Sequence, residues 1–477
     1  MSDSSTSSPS RARSLRLVYF AWLFGGFWAA IAGGATFNRF ARSLHAPDAA
    51  FGLLAAIPYL GAAVQLPVSF LIERGSRRKL VFLIGGLLDR LAWVLIAAVP
   101  WVLPERWWWP AFLAGYALAV VGQNTDGPCW ISWMADFLPQ RIRGRFVSRR
   151  SRLGQIMLLL LPVPVGWLLD RAALLGDWHL RLAASGLLAL AGLVGSVDIL
   201  MHLPVPDNAR PPPTAIAHFG RRILQPLRDR SFLRFLGFNS TLIFAVGFLG
   251  QYLWLFCFDV LHTTTVQATL LLLIFPIGVS VVCTAFYGPL IDKLGRKPVM
   301  VIGAALIIPG AIGWLFMTPG HWWPAYLCIL VSMTGWPAVE TGRFNVLLAM
   351  SDTRAGRGGG ITYLAVNSAV CALSGALSGL VGSFVARTLG PAWRGDLLGL
   401  PLTYHGVLFL VSTLARVAAL LWLLRFEEPR AHATREAIRH VALAAFDNVQ
   451  TVVTLPYRFL RRVGSASFKI RPPWGRE

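Results

Sequence analysis

The stretch WWPAFL at residues 108–113 returns almost unchanged as WWPAYL at 322–327, an offset of 214 (322 − 108 = 214). The register persists downstream: Asp126 maps onto Glu340, and Arg143-Gly144 onto Arg357-Gly358. Upstream the offset becomes 219 (288 − 69 = 219), and SFLIERGSRRK (69–79) lies over GPLIDKLGRKP (288–298). Glu73 then falls under Asp292, and Arg77-Arg78 under Arg296-Lys297. One outer loop shorter in the second half accounts for the change of offset. A chance six-residue match would not bring an acid and an Arg-Gly pair with it, so the chain reads as a duplication.

The duplicated unit is built for lipid. Of 477 residues, 55% are apolar and 14% charged, against roughly a quarter charged in soluble domains. Apolar runs of about twenty residues recur along the chain, the length needed to cross a bilayer as a helix. They predict twelve spans near 16–37, 50–72, 80–102, 109–135, 153–169 and 180–203, then 235–258, 266–291, 298–318, 323–349, 358–387 and 402–425. The expected organisation is an N-terminal tail (1–15), a first six-helix bundle (16–203), a connector (204–230), a second bundle (231–427) and a basic tail (428–477). The prolines and charges of LPVPDNARPPPTAIAHFGRR (203–222) cannot cross a bilayer. The polar opening MSDSSTSSPS lacks the pattern of a cleavable signal peptide, so the first apolar run is expected to be a true span. The Trp-Trp-Pro phrase opens the fourth span of each half at the outer interface, where indoles sit at headgroup depth and Pro suits the first helical turn.

The net charge of +22 is distributed as a membrane protein distributes it. RARSLR (11–16), ERGSRRK (73–79), RIRGRFVSRRSR (141–152), RRILQPLRDRSFLR (221–234) and DKLGRK (292–297) occupy alternate loops. The other loops hold scattered arginines such as Arg39, Arg106 and Arg181. This positive-inside pattern places both termini in the cytoplasm and the chain in an inner membrane, and it leaves no need for nucleic acid as a partner.

The loop GPLIDKLGRK (288–297) resembles the signature loop of the major facilitator superfamily, Gly-x-Leu-x-Asp-x-x-Gly-Arg-Lys. Gly288, Leu290, Asp292, Gly295, Arg296 and Lys297 match as they stand, while the first-half copy is degenerate, with Ser69, Glu73 and Ser76 in place of Gly, Asp and Gly. The resemblance runs from about residue 15 to 427. It implies an all-α integral membrane fold of twelve transmembrane helices in two pseudo-symmetric six-helix bundles, with a cavity lined by spans one, four, seven and ten. Asp136 and Arg143, seven apart, resemble an acid-x6-Arg motif of sugar-carrying members, whereas Met350 stands at the equivalent of Asp136. The antiporter signature of the fifth span is not recognisable in RLGQIMLLLLPVPVG (152–166).

The residues carry their own chemistry. A carboxylate at the membrane edge is costly unless paired, and arginines three to five positions on can pair it. Asp292, Arg296 and Lys297, with Glu73, Arg77, Arg78, Asp136 and Arg143, therefore form a candidate cytoplasmic gate, in which Gly288 and Gly295 allow close approach. Asp126 lies seventeen residues beyond Trp109, about 25 Å along a helix, in the inner part of the membrane. Asp126 and Glu340, with Arg343 one turn beyond Glu340, are the candidate proton-coupling residues. Asp89-Arg90 on the third span reads as a packing or snorkelling pair, and Asp198 as a group able to reach water. Trp28, Phe27, Tyr59, Phe244, Pro276 and Asn367 are what mid-depth offers a cavity. No charge falls at the midplane of spans one, four, seven or ten, which favours a neutral or amphipathic solute. Gly375 and Gly379 in SGALSGLVG (374–382) suit helix packing inside the second bundle, and Gly25, Gly26, Gly33 and Gly34 close packing with flexibility in the first span. The tail over 435–462 alternates apolar and basic residues at helical spacing, as a helix lying on anionic lipid would.

The five cysteines sit in apolar runs without metal spacing, and no phosphate loop, metal cluster or nucleophile motif is present. The expectation is a monomeric secondary transporter, not an enzyme, with a small-molecule solute, membrane lipid and protons as partners and no cofactor. Two other readings stand beside it: a non-transporting sensor or assembly factor on the same fold, and a membrane transferase acting on lipid-linked substrates.

Overall fold

The computed structural model describes residues 8–73, 77–207, 226–354, 360–397 and 399–427. Arg357-Gly358, the middle of the connector and the tail with its expected helix lie outside the described residues.

Ten helical segments are long and apolar enough to span a bilayer: Arg13–Ala32, Asp48–Ser69, Arg78–Val102, Gln140–Leu174, Asp177–Leu200, Arg230–Val260, Thr265–Leu294, Arg296–Phe316, Thr362–Leu389 and Tyr404–Arg425. The fourth and tenth positions are filled by two 30-residue helices, Trp108–Phe137 and Ala325–Arg354. These two are equivalent in the repeat and begin at or just after the Trp-Trp-Pro phrase. They miss the apolar criterion where polar side chains interrupt them: Gln123, Asn124 and Asp126 in one, Glu340 and Arg343 in the other. Twelve helices thus form two bundles of six. In the loop before the last span the chain forms one antiparallel hairpin, Gly395–Leu397 with Leu400–Leu402.

The first span departs from its expected 16–37. Its helix runs Ser8–Ala32, breaks at Gly33-Gly34, and resumes as Gly34–Ser43. Gly34 has φ +56, a conformation open to glycine and costly for other residues. The break re-aims the second piece, which carries Arg39 and Arg42. Gly25 and Gly26 are closely packed: a Cβ at Gly25 would lie 2.5 Å from Asp198 Oδ2, and one at Gly26 3.0 Å from the Gly154 backbone.

We distinguish the basic end of the bundles, with residues 77–79, 141–152 and 292–297, from the opposite end. At the opposite end the bundles meet along two seams. In one, the second span packs against the eleventh: a Cβ on Gly52 would sit 2.5 Å from Gly379 O, and one on Gly375 would strike the Tyr59 ring at 2.3 Å. Gly375 and Gly379 therefore join the two bundles, not helices within the second one; their bare faces let the second span come in at backbone distance. In the other seam, Gly166 of the fifth span faces Thr265 and Val266 of the eighth.

The second seam does not continue to the basic end. The half of the fifth span at the opposite end (Pro162–Leu174) buries Pro162, Val165, Gly166, Leu169 and Ala172, whereas Gly154 is the buried residue of Gln140–Leu160. The eighth span repeats this: Thr265, Ala268, Thr269 and Leu271 are buried at the opposite end, while Val281, Val282 and Phe286 are exposed further along. The bundles are closed at one end and parted at the other.

Replacing Gly52 by Leu is predicted to overpack the first seam and cost about 1–3 kcal/mol. Thermal unfolding in detergent checks this; an unchanged midpoint would mean the seam tolerates a side chain there.

Candidate functional site

At the opposite end, Arg42 joins three elements. Its Nη1 donates to Asp48 Oδ1 at 2.6 Å and its Nη2 to Asp259 Oδ2, across the bundles, at 2.6 Å. Arg39 Nε donates to Thr265 Oγ1 at 3.1 Å, and its guanidinium stacks 3.9 Å from the Phe258 ring. Asp170 of the first bundle accepts from Thr265 N at 2.6 Å and Val266 N at 3.0 Å, so it caps a helix of the second bundle. These polar bonds between the bundles, among the described residues, lie at this end.

At the basic end, the bonds described for charged groups lie within one bundle. Arg78 donates through Nη1 to Asp136 Oδ2 at 2.5 Å and through Nε to Asp207 Oδ1 at 2.8 Å. Lys79 Nζ donates to Leu203 O and Val205 O, fixing the start of the connector. Asp136 is thus bound to Arg78, while Arg143 donates to Ala135 O and Leu138 O, so the two members of the acid-x6-Arg pattern do not bond each other. Lys297 Nζ donates to Leu424 O at 3.0 Å. Asp292 is exposed and makes no ion pair among the described residues, so the expected pairing with the arginines downstream is not formed. Arg77 is exposed at the start of the third span. The side chain of Glu73 lies outside the described residues. Gly295 ends the eighth span with φ +90, its N–H bonded to Ile291 O. A Cβ on Gly288 would meet nothing within 4 Å, so the close approach expected there is absent.

Inside the first bundle runs a column of buried charge. Asp89, Arg90, Asp126 and Asp198 are each 9% exposed or less. Arg90 Nη1 donates to Asp89, its Nη2 lies 3.9 Å from Asp198 Oδ2, and its guanidinium stacks 3.5 Å from the Trp28 ring. Asp89 Oδ1 also accepts from Trp93 Nε1 at 3.3 Å. Nearer the basic end, Arg150 lies between Trp22 and Trp130, 4.1 and 4.2 Å from their ring centres. Trp130 Nε1 donates to His202 Nε2 at 3.2 Å, which leaves His202 Nδ1 to donate to Asp198 O at 2.8 Å. Asp198 is therefore sealed in and does not reach water, and Asp89-Arg90 is an internal ion pair, not a snorkelling one. Three carboxylates face two guanidiniums in this column, and Asp126 has no ion pair among the described residues. Glu340 lies in the other bundle, 39% exposed, with Arg343 Nη2 donating to its Oε1 at 2.8 Å and its Oε2 at 2.7 Å. The two repeat-related acids are thus in unlike environments and do not meet.

Beside the break in the first span, a cavity of about 280 Å³ opens toward the second bundle. It is lined by Trp28, Phe37, Asp89, Trp93, Tyr116, Gln123 and Gln251, among others. Trp28 is the one expected cavity residue on this wall. Tyr59 packs on Gly375, Phe244 stacks on Phe248, and Asn367 accepts from Asn239 Nδ2 at 2.8 Å inside the second bundle. Sequence reasoning missed Arg42, Asp48, Asp170 and Asp259; the signal was two cations and three acids at the ends of spans one, two, five and seven, with nothing to say which would pair.

This architecture has relatives. The family model of the Major Facilitator Superfamily matches residues 17–378, and the chain belongs to that superfamily. No curated protein matches it in sequence. Its fold is similar to that of the nucleoside transporter NupG, at 13% identity and TM-score 0.59, covering 88% of this chain and 100% of that one. It is similar to the xylose transporter XylE from E. coli in a partially occluded inward open conformation, at 16% identity and TM-score 0.58, covering 89% and 100%. It is also similar to a bacterial homologue of the iron transporter ferroportin in an inward-facing state, at 15% identity and TM-score 0.62, covering 88% and 98%.

Arg90→Met leaves Asp89 and Asp198 buried without their shared cation and is expected to cost about 3–5 kcal/mol. A melting midpoint equal to wild type would show that the column does not need Arg90.

Proposed function

We propose that the chain is a secondary transporter of an inner membrane, moving a small solute by rocking its two bundles about a central cavity, with the basic end and both termini in the cytoplasm. The observation that carries this reading is the asymmetry of contact: two seams and the bonds of Arg42, Arg39 and Asp170 at one end, and parted helices at the other. In a bilayer, bundles built to stay together would pack along their whole length. Bundles that alternate need one end closed at a time. Asp292, which makes no ion pair among the described residues, and the open space around Gly288 fit a gate that engages only when the basic end closes. The positive-inside distribution of arginines supports the orientation.

Locking the closed end tests the rocking. With the native cysteines replaced, Asp170→Cys with Thr265→Cys should form a disulfide across the second seam. Proteoliposome counterflow of labelled D-xylose or uridine should stop on oxidation and return with reductant. Full flux through the locked protein would reject alternating access.

Asp126 is the better placed of the two coupling candidates. It is buried and makes no ion pair among the described residues, whereas Glu340 is held by Arg343 on its own helix. Asp126→Asn is expected to abolish stimulation of flux by a proton gradient while leaving counterflow intact. Unaltered stimulation would take Asp126 out of the coupling.

A further inference from the structure

The cavity beside the first-span break carries more than space. Its one charged lining residue, Asp89, has both oxygens engaged, by Arg90 and by Trp93 Nε1. Gln123 on the fourth span and Gln251 on the seventh reach it from different bundles, and neither carboxamide is hydrogen-bonded among the described residues. The Trp28 ring lines the cavity, and its indole N–H is enclosed, with no acceptor among the described residues. The remaining wall is aromatic: Trp93 and Tyr116 meet edge to face at 6.0 Å, and Phe37 lies 4.8 Å from Tyr116.

Each group constrains the ligand. A wall whose single charge is internally paired offers no counter-ion, so an ionised solute would enter without one. Two free carboxamides present two donor groups and two acceptor groups at once. Aromatic walls favour a flat or apolar ring face. The volume of about 280 Å³ lies near the lower bound of roughly 300 Å³ for ligand pockets and limits the solute to one or two small rings.

We infer that this cavity binds a neutral ring solute bearing hydroxyl or amide groups, clamped between Gln123 of the first bundle and Gln251 of the second. The inference rests on the transporter reading, and it adds the substrate class and the two residues that select it. Because the clamp draws one group from each bundle, the solute itself bridges the moving parts. Its binding energy is then available to draw them together.

The test is binding by purified full-length protein in detergent, which does not depend on flux. D-xylose and uridine serve as neutral probes, with D-glucuronate and uridine monophosphate as their anionic counterparts; binding is read by thermal shift and isothermal titration. At least one neutral probe should bind and its anionic counterpart should not. Gln123→Leu and Gln251→Leu should each weaken binding about tenfold or more, the loss of a hydrogen bond to the solute. Gln123→Asn and Gln251→Asn serve as milder variants in case the leucine proteins fail to fold, and at least a threefold weakening is expected of them. Binding of neither neutral probe, tighter binding of an anion, or undiminished affinity in the folded variants would overturn the assignment. Binding that follows the expected pattern without counterflow in proteoliposomes would leave the site standing and reject transport.

Discussion

Lipid gives two apolar bundles no reason to press together, since its tails are as apolar as leucine. Whatever joins the halves of this protein must come from short-range packing and directed polar bonds. The contact between Gly52 and Gly379 is the main instance of the first, and Arg42 between Asp48 and Asp259 of the second. Both lie at the end away from the basic loops. Each bundle satisfies its own backbone and most of its own charge. The closed end is thus a small set of separable contacts, and the parted end needs none.

The buried column follows from the same constraint. Asp89, Arg90 and Asp198 could not sit in hydrocarbon singly; they sit there because each neutralises another and Trp28 covers the guanidinium face. With Arg150 the column sets two cations against Asp89 and Asp198, which leaves Asp126 as its unmatched acid. The second bundle has no such column among the described residues, and its acid is tied to Arg343 on the same helix. The duplication has therefore kept the frame and divided the chemistry, with polar complexity concentrated in one copy.

Much of the frame was legible because periodicity, repeats and loop charge are local properties of a chain. WWPAFL and WWPAYL located two equivalent helices, and GPLIDKLGRK placed a helix end that Gly295 caps. The i, i+3 pairing of Glu340 with Arg343 was readable for the same reason. Partnership across the fold was not. Arg42 finds Asp259 over 217 positions, Asp170 caps Thr265 over 95, and nothing near either residue announces it. The small-residue motif at Gly375 and Gly379 was legible as a contact face, yet its partner in the other bundle was not. Depth along a helix was a poor guide to environment as well: Asp198, placed near water by its position, is enclosed by the side chains of three neighbouring spans.

The cap on the eighth span has a thermodynamic consequence. Thr264 and Gln267 form a capping box on this helix, and Asp170 supplies two further bonds from across the seam. Any conformation that separates the fifth and eighth spans exposes two amides to whatever water reaches them, and the borrowed anion no longer offsets the helix dipole. A lost cap is worth about 1 kcal/mol, roughly a fivefold change in a two-state population. Separating the two spans therefore carries a definite cost set by one carboxylate of the first bundle, and the local box keeps the helix from fraying where that bond is absent.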